Sequence, residues 1–302
     1  MERMIPKAES ITHLHLLSIV NTEIRKTKKP LIRILDVGCG NGHLIAYMTQ
    51  ALVSLCPSTE FEIYGLDVND SSVQSENYCL KTNKLLSEKY PEVSWNERIT
   101  IITSHDRFPF VEGFFDVILS NQVLEHVHNH DLFFSEISRT LKEGGVAAHL
   151  YPLRHYFYEG HLHLPLVHKI LNYDILYSYI KCLSRLGLGK FKLHKKTTGI
   201  SLAEYTKAHA DYMYFNTNYL SYTETLNLSK KYSLRGSFKY TQEFYGNKLR
   251  SLLRLKPKYA YKTKRASLFG WVAIYVLKYL SSVTLFLEKE NTYRKYSQAD
   301  KK

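Results

Sequence analysis

The sequence predicts a doubly wound α/β fold, with a parallel sheet covered by helices on both faces and a mainly helical insertion after the fifth strand. Three observations predict it. Short runs rich in Ile, Leu and Val alternate with longer amphipathic segments up to Tyr151. A G-x-G-x-G cluster, Gly38, Gly40 and Gly42, follows the first such run. After Tyr151 the alternation stops, and residues 152–215 become rich in His, Tyr and Leu.

Residues 11–28 place Ile11, Leu14, Leu17, Val20 and Ile24 on one helical face, and Pro30 ends the segment. Leu31–Leu35 is the first expected strand, and His43–Leu55 the helix after the glycines. Phe61–Asp67, Ile99–Ile102, Phe115–Ser120 and Val146–Tyr151 are strands two to five, with helices over Ser71–Tyr90 and Asp131–Leu141. Beyond the insertion, a helix over Tyr222–Tyr232 and a strand near Ser237–Phe244 resume the sheet. A helix over residues 267–280 and a strand from Ser282 complete it. This divides the chain into an N-terminal helix (1–29), a core (30–151), an insertion on the substrate side (152–215) and closing elements (216–302).

Charge is unevenly distributed. Residues 1–150 hold 14 Lys and Arg against 19 Asp and Glu, a net of −5; the rest hold 27 against 9, a net of +18. Of the 24 tyrosines, 20 lie after residue 150. A basic second half suits an anionic partner: a membrane surface, a phosphorylated substrate or nucleic acid. Cys39, Cys56, Cys79 and Cys182 lack paired spacing, so neither a disulfide framework nor a zinc knuckle is expected. The first residues lack a continuous apolar run, which makes the cytoplasm the expected location.

The glycines carry the first chemistry. A tight turn after a strand lets backbone N–H groups approach a ligand, and Asp36 precedes the turn. A dinucleotide fingerprint would require glycine where His43 stands. Asp67, at the tip of the second strand, is placed to hold both hydroxyls of a ribose. A tight turn and helix cap would account for the glycines alone; the combination with Asp36 and Asp67 predicts a nucleoside site.

Asp36-Val37-Gly38-Cys39-Gly40-Asn41-Gly42 resembles the first motif of class I S-adenosylmethionine-dependent methyltransferases. The run from Arg107 to Val127 resembles the third and fourth motifs, and Arg139-Thr140-Leu141-Lys142-Glu143-Gly144-Gly145 the segment before the fifth strand. The resemblance implies a Rossmann-like seven-stranded sheet, with the last strand antiparallel, and S-adenosylmethionine as cofactor. It places Gly38, Cys39, Gly40 and Gly42 against the methionine moiety, Asp36 near its ammonium, Asp67 on the ribose and Val68 beside the adenine. Asn121 and Gln122 would line the sulfonium end. Family members carry an acid where this chain has Ser104; His105 and Asp106 follow, and Asp106 is the candidate substitute at the adenine amine.

Glu125-His126 follows the fourth strand and Glu159-Gly160-His161-Leu162-His163-Leu164-Pro165 the fifth. Ligands converge on the carboxyl ends of such strands, so Glu125, His126, Glu159 and His161 are the candidate catalytic residues, His161 as base. The bland alternative is a helix cap for the first pair and structural loop histidines for the second. The latter stretch resembles the E-x-H-x-x-L-P segment of methyltransferases linked to bacterial cell-surface polysaccharide and lipid biosynthesis. No metal is assigned, because the histidine spacing is loose for ligation. Arg250, Arg254, Lys256, Lys258, Lys262, Lys264 and Arg265 precede an apolar segment, a pattern of peripheral membrane contact at the inner face. The expected acceptor is therefore a small or lipid-linked molecule, glycans included, methylated at a hydroxyl. Two alternatives stand beside it. One is a nucleic-acid methyltransferase, disfavoured by Ser120-Asn121-Gln122-Val123 where base-amine methylases carry Asn-Pro-Pro-aromatic. The other is a non-catalytic cofactor-binding or membrane-adaptor protein.

Overall fold

The computed structural model describes residues 5–70, 78–262 and 274–289. Ser10 caps the first helix, α1 (Ile11–Ile24), by accepting from the His13 N–H. The helix stops short of residue 28 because the chain turns at 25–27 and Lys28 takes a positive φ. There follow β1 (Leu31–Val37), α2 (His43–Leu55), β2 (Glu60–Val68), α3 (Tyr78–Lys89), α4 (Trp95–Arg98), β3 (Ile99–Ile102), β4 (Phe115–Asn121), α5 (His130–Thr140) and β5 (Leu141–Pro152). The part of the expected second helix before residue 78 lies outside the described residues.

The insertion opens on a short hairpin, β6 (Tyr158–Glu159) and β7 (Leu164–Pro165), and continues through α6 (Tyr173–Arg185), α7 (Phe191–Thr198) and α8 (Leu202–Phe215). It has its own apolar cluster, including Leu162, Leu164, Val167, Ile180 and Tyr205. The chain returns to the sheet through α9 (Tyr222–Lys231), β8 (Leu234–Ser237), α10 (Thr241–Leu252) and β9 (Ser282–Lys289).

The seven-stranded sheet has the order β3-β2-β1-β4-β5-β9-β8. β1 to β5 run parallel, and β9 lies antiparallel between β5 and β8. The expected Rossmann-like sheet with its last strand antiparallel is therefore the observed one. One element differs. The strand expected near Ser237–Phe244 ends at Ser237, and Thr241 begins a helix. Tyr240 and Phe244, one helical turn apart, bury themselves against α1 and β9, and Tyr240 Oη donates to Glu23.

On that face α1 and α2 cover the sheet; α5 and α9 cover the other. His15 of α1 is fully buried, its ring nitrogens 2.7 Å from Tyr261 Oη and 2.8 Å from Thr284 Oγ1. Burial pulls its pKa down to about 3, so it links α1 to β9 as a neutral ring. Gly65 of β2 permits close packing of α2: a Cβ there would lie 2.8 Å from Cys39 Sγ, Ile45 Cδ1 and Ile99 Cδ1. Gly65→Ala is expected to destabilise the fold by about 1–3 kcal/mol, read as a lowered urea midpoint at unchanged slope.

Candidate active site

β1 delivers the chain into a turn with positive φ at Gly38, Gly40 and Gly42. The Gly38 and Cys39 N–H groups donate to Leu66 O at 2.7 and 3.2 Å, fastening the turn to the tip of β2. The Gly40 N–H donates to the Asp67 carboxylate at 2.6 Å, and the Val68 N–H to its other oxygen at 2.8 Å. The three glycines do different work. Gly38 lines a cavity, and a Cβ on it would stand 2.3 Å from Val123 Cγ2. Gly40 reaches that cavity through Asp67. Gly42 begins α2 and leaves room for Thr82 and Leu86 of α3. The Cys39 side chain is buried in the core against Gly65.

The cavity, about 270 Å³, lies at the carboxyl ends of β1, β2 and β4. It brings together Gly38, Asp67, Val68, Ser104, Asp106, Asn121, Gln122 and His126 from the expected set. Asp36 is buried behind it with Oδ1 lacking a hydrogen-bond partner. Burial first, then the charge of Asp67, push its carboxyl pKa well above the ordinary carboxylate range. Ser104 donates through N and Oγ to Asp70, and Asp106 accepts from the N and Oγ1 of Thr103. His105 is exposed beside them and does not line the wall. Asn121 donates to Thr12 Oγ1 at 3.2 Å, and its Oδ1 is buried without a partner. Gln122, at φ 58°, donates from Nε2 to Ser282 Oγ at 2.9 Å.

Sequence reasoning missed Asp70, Phe108, His128 and Asn216 in the same wall. Asp70 had a readable signal, since it closes Asp67-Val68-Asn69-Asp70 at a strand tip. Asn216 had none, because only the tertiary fold brings it to His126, whose Nδ1 lies 2.8 Å from Asn216 O.

The four candidate catalytic residues converge. Glu159, on β6, is fully buried and accepts from five donors: His161 Nδ1 at 2.6 Å, the His161 and Leu162 N–H groups at 3.0 and 2.7 Å, and the hydroxyls of Tyr156 and Tyr219 at 3.1 and 3.2 Å. Burial opposes its charge, but His161 and the backbone amides outweigh that and hold its pKa at about 2. The His161 ring meets the His126 ring edge-on, with centroids 5.4 Å apart, and Tyr212 stands 5.3 Å from it. His126 lines the cavity, and burial lowers its pKa. Glu125 is fully buried, and its carboxyl oxygens find no partner on any other residue. Burial, with a smaller contribution from Glu159, raises its pKa to about 8. Among the described residues no group of three or more His, Cys, Asp or Glu is arranged to hold a metal ion.

Part of this chain resembles known proteins. Residues 35–149 match a family model described as a methyltransferase domain. The chain is 29% identical over 133 residues to the ubiquinone biosynthesis O-methyltransferase of Pelagibacter ubique, covering 42% of this chain and 46% of that protein. It is 25% identical over 114 residues to the malonyl-[acyl-carrier protein] O-methyltransferase of Legionella pneumophila, covering 37% and 34%. The matched segment thus spans less than half the length of either relative. Among solved structures, the YcgJ protein of Bacillus subtilis aligns over 92% of this chain and 98% of its own, at 14% identity and a TM-score of 0.43. Residues 35–149 of this chain are a methyltransferase domain of the S-adenosylmethionine-dependent class, whose cofactor is S-adenosylmethionine.

Proposed function

We propose that this chain transfers a methyl group to a hydroxyl of a small or lipid-linked acceptor, with His161 as base and Glu159 as its positioning residue. The residues at the cavity fit S-adenosylmethionine. Asp36 offers an unpartnered, buried carboxyl oxygen for an ammonium, and Gly38 lets the backbone come close. Asp67 is oriented by two backbone N–H groups for a ribose, while Val68, Ile102 and Phe108 provide apolar walls for the base.

When bound, S-adenosylmethionine supplies an electrophilic methyl for in-line displacement, a reaction in which orientation provides much of the rate. The protein's own part is the proton. The Glu159 carboxylate accepts from His161 Nδ1–H, which fixes the tautomer and leaves Nε2 to take the proton that the acceptor hydroxyl loses. The carboxylate then faces the imidazolium at 2.6 Å. Because His126 is held neutral by burial, it does not oppose that charge. The single observation that carries this reading is a fully buried Glu159 carboxyl, met by five donors, holding a histidine against a residue of the cofactor cavity. His161→Asn is expected to lower methyl transfer roughly 10²–10⁴-fold at unchanged S-adenosylmethionine affinity. Calorimetry beside a labelled-methyl assay on cell fractions tests this; full transfer by the variant would remove His161 as base.

The resemblance around Glu159 and His161 supports an acceptor in cell-surface glycan or lipid assembly. Peripheral contact with an anionic membrane is supported by the end of α10. There Leu249, Leu252, Leu253 and Leu255 are exposed among Arg250, Arg254, Lys256 and Lys258. No helix among the described residues is long and apolar enough to cross a membrane. Of the helix expected over 267–280, residues 274–277 are helical and 267–273 lie outside the described residues, as do Lys264 and Arg265. Neutralising Arg254, Lys256 and Lys258 is expected to weaken flotation with anionic liposomes by about 1 kcal/mol per base. Undiminished flotation would discard this contact.

A further inference from the structure

A second cleft, of about 490 Å³, lies across the segment 216–219 from the cofactor cavity. Its walls include Arg154 and His155 just beyond β5, His168 and Lys169 after β7, and Asn218 and Tyr219. Asn216 lines the first cavity, and Tyr219 Oη donates to Glu159. The two cavities therefore share a wall, and the His161–Glu159 pair is fastened to it.

The charge in the cleft is positive. Arg154 pairs with Glu224 at 3.1 Å. Lys169 and Lys278 make no ion pair with a carboxylate among the described residues. The Lys278 ammonium is buried over the rings of Tyr275, Tyr279 and Tyr222, at 4.8, 5.2 and 5.6 Å. All three cations bear on His155, whose pKa is lowered by burial and then by Lys278, Lys169 and Arg154. His155 Nε2 accepts the Tyr222 N–H at 3.2 Å, so in the neutral ring Nδ1 carries the proton and is a donor. Arg154 and Lys169 in the wall, a ring N–H and the nearby charge of Lys278, against one carboxylate, suit a phosphate.

Apolar surface adjoins the cleft. Leu171 lines it and is 86% exposed. The Tyr279 ring lies 6.0 Å from that of His155, and the Phe157 N–H donates to Tyr279 O. Phe157, Val276, Tyr279 and Leu280 are all exposed.

We propose that this cleft binds a phosphate or diphosphate ester, the anionic end of the methyl acceptor, whose apolar part lies along Leu171 and the adjoining Phe157–Tyr279 surface. Its role in methyl transfer rests on the acceptor reading above; its capacity to bind phosphate does not.

The test is calorimetric titration of the full chain with inorganic pyrophosphate. A saturable isotherm is expected that Lys169→Glu weakens at least about tenfold while Lys195→Glu, an equal charge change on α7, leaves it within about twofold. No saturable binding, or equal loss in both variants, would overturn the proposal. Vesicles of phosphatidylcholine with phosphatidic acid distinguish the source of the phosphate. Pyrophosphate-sensitive vesicle binding lost in Lys169→Glu supports a lipid headgroup, and pyrophosphate binding without vesicle binding supports a soluble ester. Titration with S-adenosylmethionine in the same samples keeps the readings apart, since its failure would sink the methyltransferase assignment and leave the phosphate result standing.

Discussion

Replacing Asp67 with alanine is expected to lower S-adenosylmethionine affinity at least about a hundredfold, since two charge-assisted hydrogen bonds to a ribose contribute about 1.5–3 kcal/mol each. The loss has a second source. Asp67 accepts the Gly40 N–H at 2.6 Å, so the variant leaves that amide unpaired and the glycine turn without its tie to β2. Asp67→Asn retains an acceptor for one amide and should fall between the two. Calorimetry measures the affinities, and thermal unfolding without cofactor shows whether the fold survives. Undiminished affinity in Asp67→Ala would refute the ribose assignment and with it the placement of the cofactor.

Glu125 is expected to make the fold markedly less stable as pH rises. Its pKa stands at about 8 in the folded chain against an ordinary 4.5. The folded state therefore keeps a proton that the unfolded chain releases. The stabilisation from that proton is complete below about pH 4.5 and is lost as pH rises to about 8. At about 1.4 kcal/mol per unit this amounts to on the order of 5 kcal/mol. Glu125→Gln removes the titration while keeping the shape. The difference in Tm between the two proteins should shift by roughly 5–10 °C between pH 5 and pH 8.5, in favour of the variant at the higher pH. A constant difference across that range would mean that Glu125 is ionised in the folded protein.

The elements that could be read from the sequence are those whose signal is local. β1, α2 and β3 fall where periodicity and the glycine turn put them, because burial on a parallel sheet demands continuous apolar runs and the turn demands positive φ. Phe238-Lys239-Tyr240-Thr241 alternates like a strand, yet Tyr240 and Phe244 find their partners on α1, more than two hundred residues away in the chain, and the helix prevails. The site divides in the same way. Asp67 and Asn121 lie at strand ends, Ser104 just past one, and all three could be placed by counting. That His126 and His161 would meet ring to ring could not be, because the insertion decides it.

The antiparallel strand of the sheet carries a cost for a chain emerging from the ribosome. β5 ends at Pro152, and the strand that covers its edge begins only at Ser282. While the intervening segment is translated, a strand bearing Ala147, Ala148, Leu150 and Tyr151, all buried in the finished protein, offers its unpaired backbone to any neighbour. Nascent chains stalled before Ser282 should therefore aggregate or be held by a chaperone, and release should follow the arrival of the last strand rather than completion of the nucleoside-binding half.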